Sequence, residues 1–259
     1  MEPKRLASGM ANLKEIVEYL DAKLRISEIK DYPGAMNGLQ LENSGNVDFI
    51  HSAVDASLAV VEEAAKKGGL LLVHHGMFWQ GAQPLTDVFY RKIKAAINGD
   101  LAIYSCHLPL DFHPIMGNNV LLAQKIGLFN ISPALEKDGW ATAITGEWGK
   151  SREELVAAVE SAVGRKTILC PGGTEEVGRV AVVTGGAGSE VTRIMGLGVD
   201  AFVTGEGPHW SFVEAEERGM NLIYAGHYAT ETFGVERLGE TLGDQFKLEF
   251  SFINRLGGL

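Results

Sequence analysis

The chain has 259 residues, a formal net charge of −10, 46% hydrophobic residues and 22% charged residues. That length holds one large domain or two smaller ones. The acidic balance disfavours a broad nucleic-acid-binding face, and no apolar run approaches the roughly 20 residues of a membrane helix.

Leu13, Ile16, Val17, Leu20 and Leu24 recur at helical spacing and predict an amphipathic helix over 11–25. Residues 31–46, rich in Gly, Asn and Pro, read as a loop. Strands and helices then alternate: strand 47–54, helix 57–67, strand 70–74, helix 86–98, strand 101–105 and helix 117–126. A second run follows with strand 141–147, helix 151–163, strands 166–169 and 179–184, helix 188–197, strand 200–204, helix 210–218, strand 221–225 and helix 230–242. Residues 246–252 suit a final strand, and Ser151 with Glu154 marks a capping box. The alternation predicts α/β architecture with mostly parallel pairing. Two cysteines, Cys106 and Cys170, imply no disulfide framework, and the first residues carry no apolar leader. The expected setting is the reduced cytoplasm.

Self-similarity organises the rest. Residues 49–79 and 180–210 align without a gap, bringing His74-His75-Gly76 onto Gly205-Glu206-Gly207 and Trp79 onto Trp210. Tyr104–Asp111 likewise lies over Tyr224–Glu231, so His-x-x-x-Asp in one half meets His-x-x-x-Glu in the other. The expectation is an internal duplication: two related α/β halves facing each other across a metal-containing cleft. The first domain would comprise 1–128 plus 228–259, and the second 129–227.

The polar residues of the repeat all follow predicted strands, where α/β folds place ligands. His74 and His75 are adjacent, so in an extended strand they would point to opposite faces and serve two metals, or bind differently where the strand ends. Asp111 and Glu231 add hard oxygen donors, and His227 stands four residues before Glu231. Three histidines and two carboxylates suit Zn²⁺, Fe, Mn²⁺ or Ni²⁺. Around them, His107, Glu206 and His113 are candidates for handling protons, and Gly185, Gly186 and Gly188 precede a predicted helix where backbone N–H groups bind anions.

The stretches NGLQ at 37–40, VHHGMFW at 73–79, CHLPLDFHPIMGNN at 106–119, GGAGS at 185–189, TGE at 204–206 and GHYATE at 226–231 resemble the Nif-three-like family, often named GTP cyclohydrolase 1 type 2 homologues. The resemblance covers nearly the whole chain. It implies a dinuclear metal centre held by His74, His75, Asp111, His227 and Glu231, with Glu231 bridging, and a toroidal homohexamer. The expected activity is metal-dependent hydrolysis of a nucleotide-like or other small phosphorylated substrate. The alternative is a non-catalytic metal-binding or delivery protein, or a ring-shaped scaffold for a protein partner.

Overall fold

The computed structural model describes residues 9–256. The chain divides into two compact units. Among the described residues, unit 1 runs to Leu110 and resumes over Val235–Arg255, and unit 2 is Asp111–Gly234 with Leu256. The division falls before the expected boundary at 128/129. The reason is helix Asn118–Ile126, whose Val120, Leu122, Ala123 and Ile126 pack with Leu155, Val159 and Val180 in the core of unit 2. At the other end the unit extends past 227/228, because Phe233 packs on that core and the Gly234 amide donates to Asn118 Oδ1 at 2.7 Å.

Unit 1 is built on three parallel strands, Phe49–Asp55, Gly69–His75 and Leu101–Ser105, in that order. Nearly every residue in them is buried, as expected when helices cover both faces of a parallel sheet. Helices Leu58–Ala64 and Asp87–Asn98 supply Val60, Val61, Ala64 and Ala96 against Leu71, Val73, Leu101 and Ile103. Glu249–Phe252 extends the sheet in parallel beside Phe49–Asp55. At the opposite edge, Gly38–Leu41 pairs antiparallel with the strand Leu101–Ser105. This edge strand lies inside the stretch expected to be a loop: it is four residues long and its Gly and Asn neighbours hide it.

Unit 2 has three parallel strands as well, Glu176–Val182, Ala201–Thr204 and Asn221–Tyr224. Ile168–Pro171 again pairs antiparallel with the third. In the sheet of each unit an antiparallel edge strand thus immediately precedes the three parallel ones, which take the same spatial order. The other edges differ, because unit 2 adds the hairpin Phe129–Lys137 and Trp140–Ser151. The first strand of that hairpin was not expected from the sequence, since Pro133 demotes it; the residue is tolerated because this is the sheet edge. Asp138 and Gly139, both with positive φ, make the tight turn. Pairing is therefore more mixed than expected.

Other local signals survive intact. Ser151 and Glu154 form the capping box of helix Arg152–Val163, which ends at Gly164 in the left-handed region. The predicted helix 188–197 is instead a 3₁₀ turn, Ala187–Glu190, leading into Val191–Met195. No helix among the described residues is long and apolar enough to cross a membrane.

One buried histidine sets an acid limit on unit 1. Burial, assisted by the Lys67 charge, pulls the His51 imidazole down to about 4, although the Gly68 backbone opposes this. The unfolded chain then takes up a proton near pH 6.5 that the folded chain refuses until about 4. Stability therefore falls across that window as pH drops, by up to about 3 kcal/mol. His51→Gln should flatten this part of the curve, which urea midpoints at pH 7.5 and 4.5 would measure; an unchanged difference from wild type would refute it.

Candidate metal centre

In unit 1, parallel pairing sets the end of Gly69–His75 beside the end of Leu101–Ser105. The first strand delivers His74 and His75, and the residues after the second deliver His107. Ring centroids are 4.8 Å apart for His74 and His75, 4.9 Å for His74 and His107, and 5.6 Å for His75 and His107. One ring nitrogen of each lies within 4.8 Å of the other two. The alternation expected of adjacent strand residues does not separate His74 from His75, because His75 is the last residue of its strand.

Each of these rings has Nδ1 on an oxygen. His74 Nδ1 meets the Cys106 carbonyl at 2.9 Å, His75 Nδ1 meets Asp55 at 2.8 Å, and His107 Nδ1 meets Asp31 at 2.9 Å. A carbonyl only accepts, so His74 Nδ1 carries the proton and its lone pair sits on Nε2. The carboxylates impose the same tautomer on the other two. Asp31 is anchored in turn: its oxygens accept from Asn37 Nδ2 at 2.8 Å, Tyr32 N at 2.6 Å and Leu108 N at 2.9 Å. Burial raises the Asp31 carboxyl, but the His107 hydrogen bond and charge, with Asn37 and Tyr32, outweigh it and hold it below its ordinary value. Asn37 also accepts from the His107 amide at 2.7 Å, so the NGLQ motif sets the backbone that carries this histidine.

In unit 2, Asp111 and Glu231 are both buried, with a carboxylate oxygen of each within 4.8 Å of the other. Asp111 accepts from Asn118 Nδ2 at 2.7 Å, and Asn119 holds Thr184 through its amide and hydroxyl at 2.8 and 2.9 Å. His227 opens the short helix His227–Thr230, and the i, i+4 spacing brings its Nε2 to 3.2 Å from Glu231. Its Nδ1 lies 2.7 Å from Glu206, repeating the unit 1 arrangement. The Glu231 hydrogen bond, with its charge and with Glu206, raises the His227 imidazole to about 9 against the opposing effect of burial. A proton between Nε2 and Glu231 thus occupies the position a cation would take over.

The expected anion-binding glycines do something else that can be specified. The Gly185 amide donates to Thr230 Oγ1 at 3.0 Å and the Gly188 amide to the Glu206 carbonyl at 2.9 Å. Gly185, at φ +69°, leaves the space a Cβ would fill directly against the Glu231 carboxylate. Gly186 flanks the His227 ring. The turn therefore clears room around two donor residues.

These features fit a divalent metal. In unit 1 the imidazoles of His74, His75 and His107 have Nδ1 held on oxygen; in unit 2, separately, His227 does so beside the buried carboxylates of Asp111 and Glu231, with a glycine leaving clearance beside Glu231. His113 is engaged locally, its Nδ1 accepting from the Ile115 and Met116 amides at 3.2 and 3.1 Å. Sequence reasoning missed Asp31 and Asp55. Asp55 had a usable signal, since it directly follows the predicted strand 47–54; Asp31 had none, lying in a loop 76 positions from its partner.

The repeat alignment can be tested on the ladders. Leu70 stands beside Ala102 in unit 1, whereas its counterpart Ala201 stands beside Asn221, one residue earlier than the alignment requires. Despite that slip, the aligned pairs His75 with His107 and Glu206 with His227 are neighbours within their own units.

Comparison with known proteins places the chain. The family Duf34/NIF3 (NGG1p interacting factor 3) matches residues 11–256. A Deinococcus radiodurans protein called GTP cyclohydrolase 1 type 2 homolog is 34% identical over 97% of this chain and 96% of its own length. The Escherichia coli K12 protein of that name is 37% identical over 93% of this chain and 96% of its own. Among solved structures, TTHA1606 from Thermus thermophilus superposes with a TM-score of 0.85 at 34% identity, covering 96% of this chain and all of that one. Reduced HcgD from Methanocaldococcus jannaschii gives 0.84 at 26% identity, with the same coverage. The chain belongs to the Duf34/NIF3 family.

Proposed function

We propose that this protein is a metal-dependent hydrolase acting on a nucleotide-like or other small phosphorylated substrate, with His74, His75, Asp111, His227 and Glu231 as ligands of one dinuclear centre. The observation that carries the reading is the shared posture of the imidazoles: each holds Nδ1 on an oxygen and so presents Nε2 as donor. The mixed nitrogen and oxygen set favours Zn²⁺, Fe, Mn²⁺ or Ni²⁺. The common strand order of the two units supports an origin by internal duplication. The name carried by the Deinococcus and Escherichia relatives supports nucleotide chemistry by analogy.

When bound, a pair of divalent ions supplies Lewis acidity toward a substrate oxygen and toward water. The chain's own residues do the rest. Asp31 fixes the tautomer of His107, so that Nε2 accepts and returns a proton. Glu206 orients His227, and Asn118 orients the Asp111 carboxylate.

Purified protein is expected to hold two divalent ions per chain by elemental analysis and to melt at a lower temperature after chelation, since a ligand bound only to the folded state stabilises it. A panel of nucleotides and phosphoesters tests turnover. If Asp111→Ala and Glu231→Ala lose their metal while hydrolysis persists, the proposed mechanism is wrong.

A further inference from the structure

We propose that Tyr32 and Trp79 form a stacking subsite for a planar nitrogen heteroaromatic ring, of the nucleobase kind, beside the histidines of unit 1. This rests on the reading that those histidines belong to a reactive centre, and it names the part of the substrate they meet. Both aromatic side chains are open to solvent, Tyr32 at 64% and Trp79 at 37%. Their ring centroids are 6.4 Å apart at a 50° tilt, and both border His107, at 6.0 and 4.8 Å. Trp79 also meets His75 edge to face, at 5.7 Å and 79°.

Both residues sit on fixed backbone. The Tyr32 amide donates to the buried Asp31 carboxylate at 2.6 Å, and the Ala35 amide closes the turn onto the Tyr32 carbonyl at 2.9 Å. Gly34 lies against Trp79 so closely that a Cβ there would stand 2.8 Å from Trp79 Cα. Gln40 then ties the two segments, accepting from the Met77 amide at 2.7 Å and donating to the Met36 carbonyl at 3.0 Å. Aromatic surface held in place in advance costs little ordering entropy on binding.

The chemistry around the two rings selects the ligand. A purely apolar molecule would use the aromatic faces and leave the neighbouring imidazoles unmatched. A bare phosphate would leave the aromatic faces idle and has mainly acceptor oxygens to set against the His107 Nε2 lone pair. A heteroaromatic ring uses both, stacking its π-face on Trp79 or Tyr32 and offering a ring or amino N–H to His107 Nε2, the imidazole nitrogen outside the proposed ligand set. Stacking of a base on an aromatic side chain contributes about five- to a hundredfold in affinity.

The test compares guanosine 5′-monophosphate and adenosine 5′-monophosphate with ribose 5-phosphate, binding to the zinc-loaded full chain by equilibrium dialysis and tryptophan fluorescence. The base-bearing ligands should bind at least about tenfold tighter. Trp79→Ala should abolish that preference, Trp79→Phe should keep it and Tyr32→Ala should reduce it, with bound zinc unchanged in each. Equal binding of base-bearing and base-free ligands, no binding of the nucleotides, or an intact preference in Trp79→Ala would overturn the proposal. Should Trp79→Ala fail to fold, Tyr32→Ala at its exposed position decides the matter, an unreduced preference overturning the subsite. A wild-type chain that binds no zinc but still prefers the base-bearing ligands would refute the metal reading and leave the subsite standing.

Discussion

Glu231→Gln is expected to lower divalent-metal affinity at least about 100-fold and to leave the chain with no more than one bound ion. The exchange keeps the size of the side chain, which is 2% exposed, so the unit should still fold. What it removes is the negative charge beside His227 Nε2, at 3.2 Å. The metal-free protein offers an independent readout. Because Glu231 is the largest cause of the raised His227 value of about 9, the imidazole should titrate much closer to 6.5 in the variant, as proton NMR would report. A raised histidine stabilises the folded state fully below its unfolded value and loses that contribution as pH rises through the folded one. Metal-free wild type should therefore lose stability between about 6.5 and 9, and the glutamine variant should lose much less. A variant that keeps two ions would remove Glu231 from the ligand set.

Gly185→Ala should be nearly as damaging, although glycine carries no donor. Its φ of +69° is strained for alanine, at about 1–2 kcal/mol, and the new methyl would stand against the Glu231 carboxylate, next to His227. Either the turn or the carboxylate must move. Metal affinity is expected to fall about 100-fold, comparable to losing a group that orients a ligand. Gly186→Ala supplies the contrast. Gly186 has an ordinary φ of −86°, and its Cβ would lie 3.6 Å from His227 Cε1, a normal contact. Competition against a chromophoric chelator should separate the two variants. Equal affinities would show that clearance beside Glu231 is not what this glycine provides.

Much of the fold was legible along the chain because strand and helix periodicities are local. The runs leading to Val73, Ser105, Thr204 and Tyr224 were found within a residue or two, and the capping box of Ser151 and Glu154 lies where its spacing placed it. The misses share a cause. Gly38–Leu41 and Phe129–Lys137 are edge strands, which tolerate Gly and Pro and bury few side chains, so neither has a strong pattern. The unit boundary was misplaced because helix Asn118–Ile126 is amphipathic whichever core receives it; only packing with Leu155 and Val180 assigns it to unit 2.

By itself, the sequence determined the strand that ends in His74 and His75 and the two strands after which His107 and Asp111, and His227 and Glu231, follow. Strand and helix periodicities are local, so they can be read before the chain folds. Only the tertiary structure decided how those residues are held. Asp31 reaches His107 across 76 positions and Glu206 reaches His227 across 21, and neither separation leaves a periodic trace. The same holds for Gly185, read from sequence as an anion cradle and found in the structure as the gap that admits Glu231. A glycine turn has one appearance in sequence, whereas its role depends on which side chain the fold brings against it.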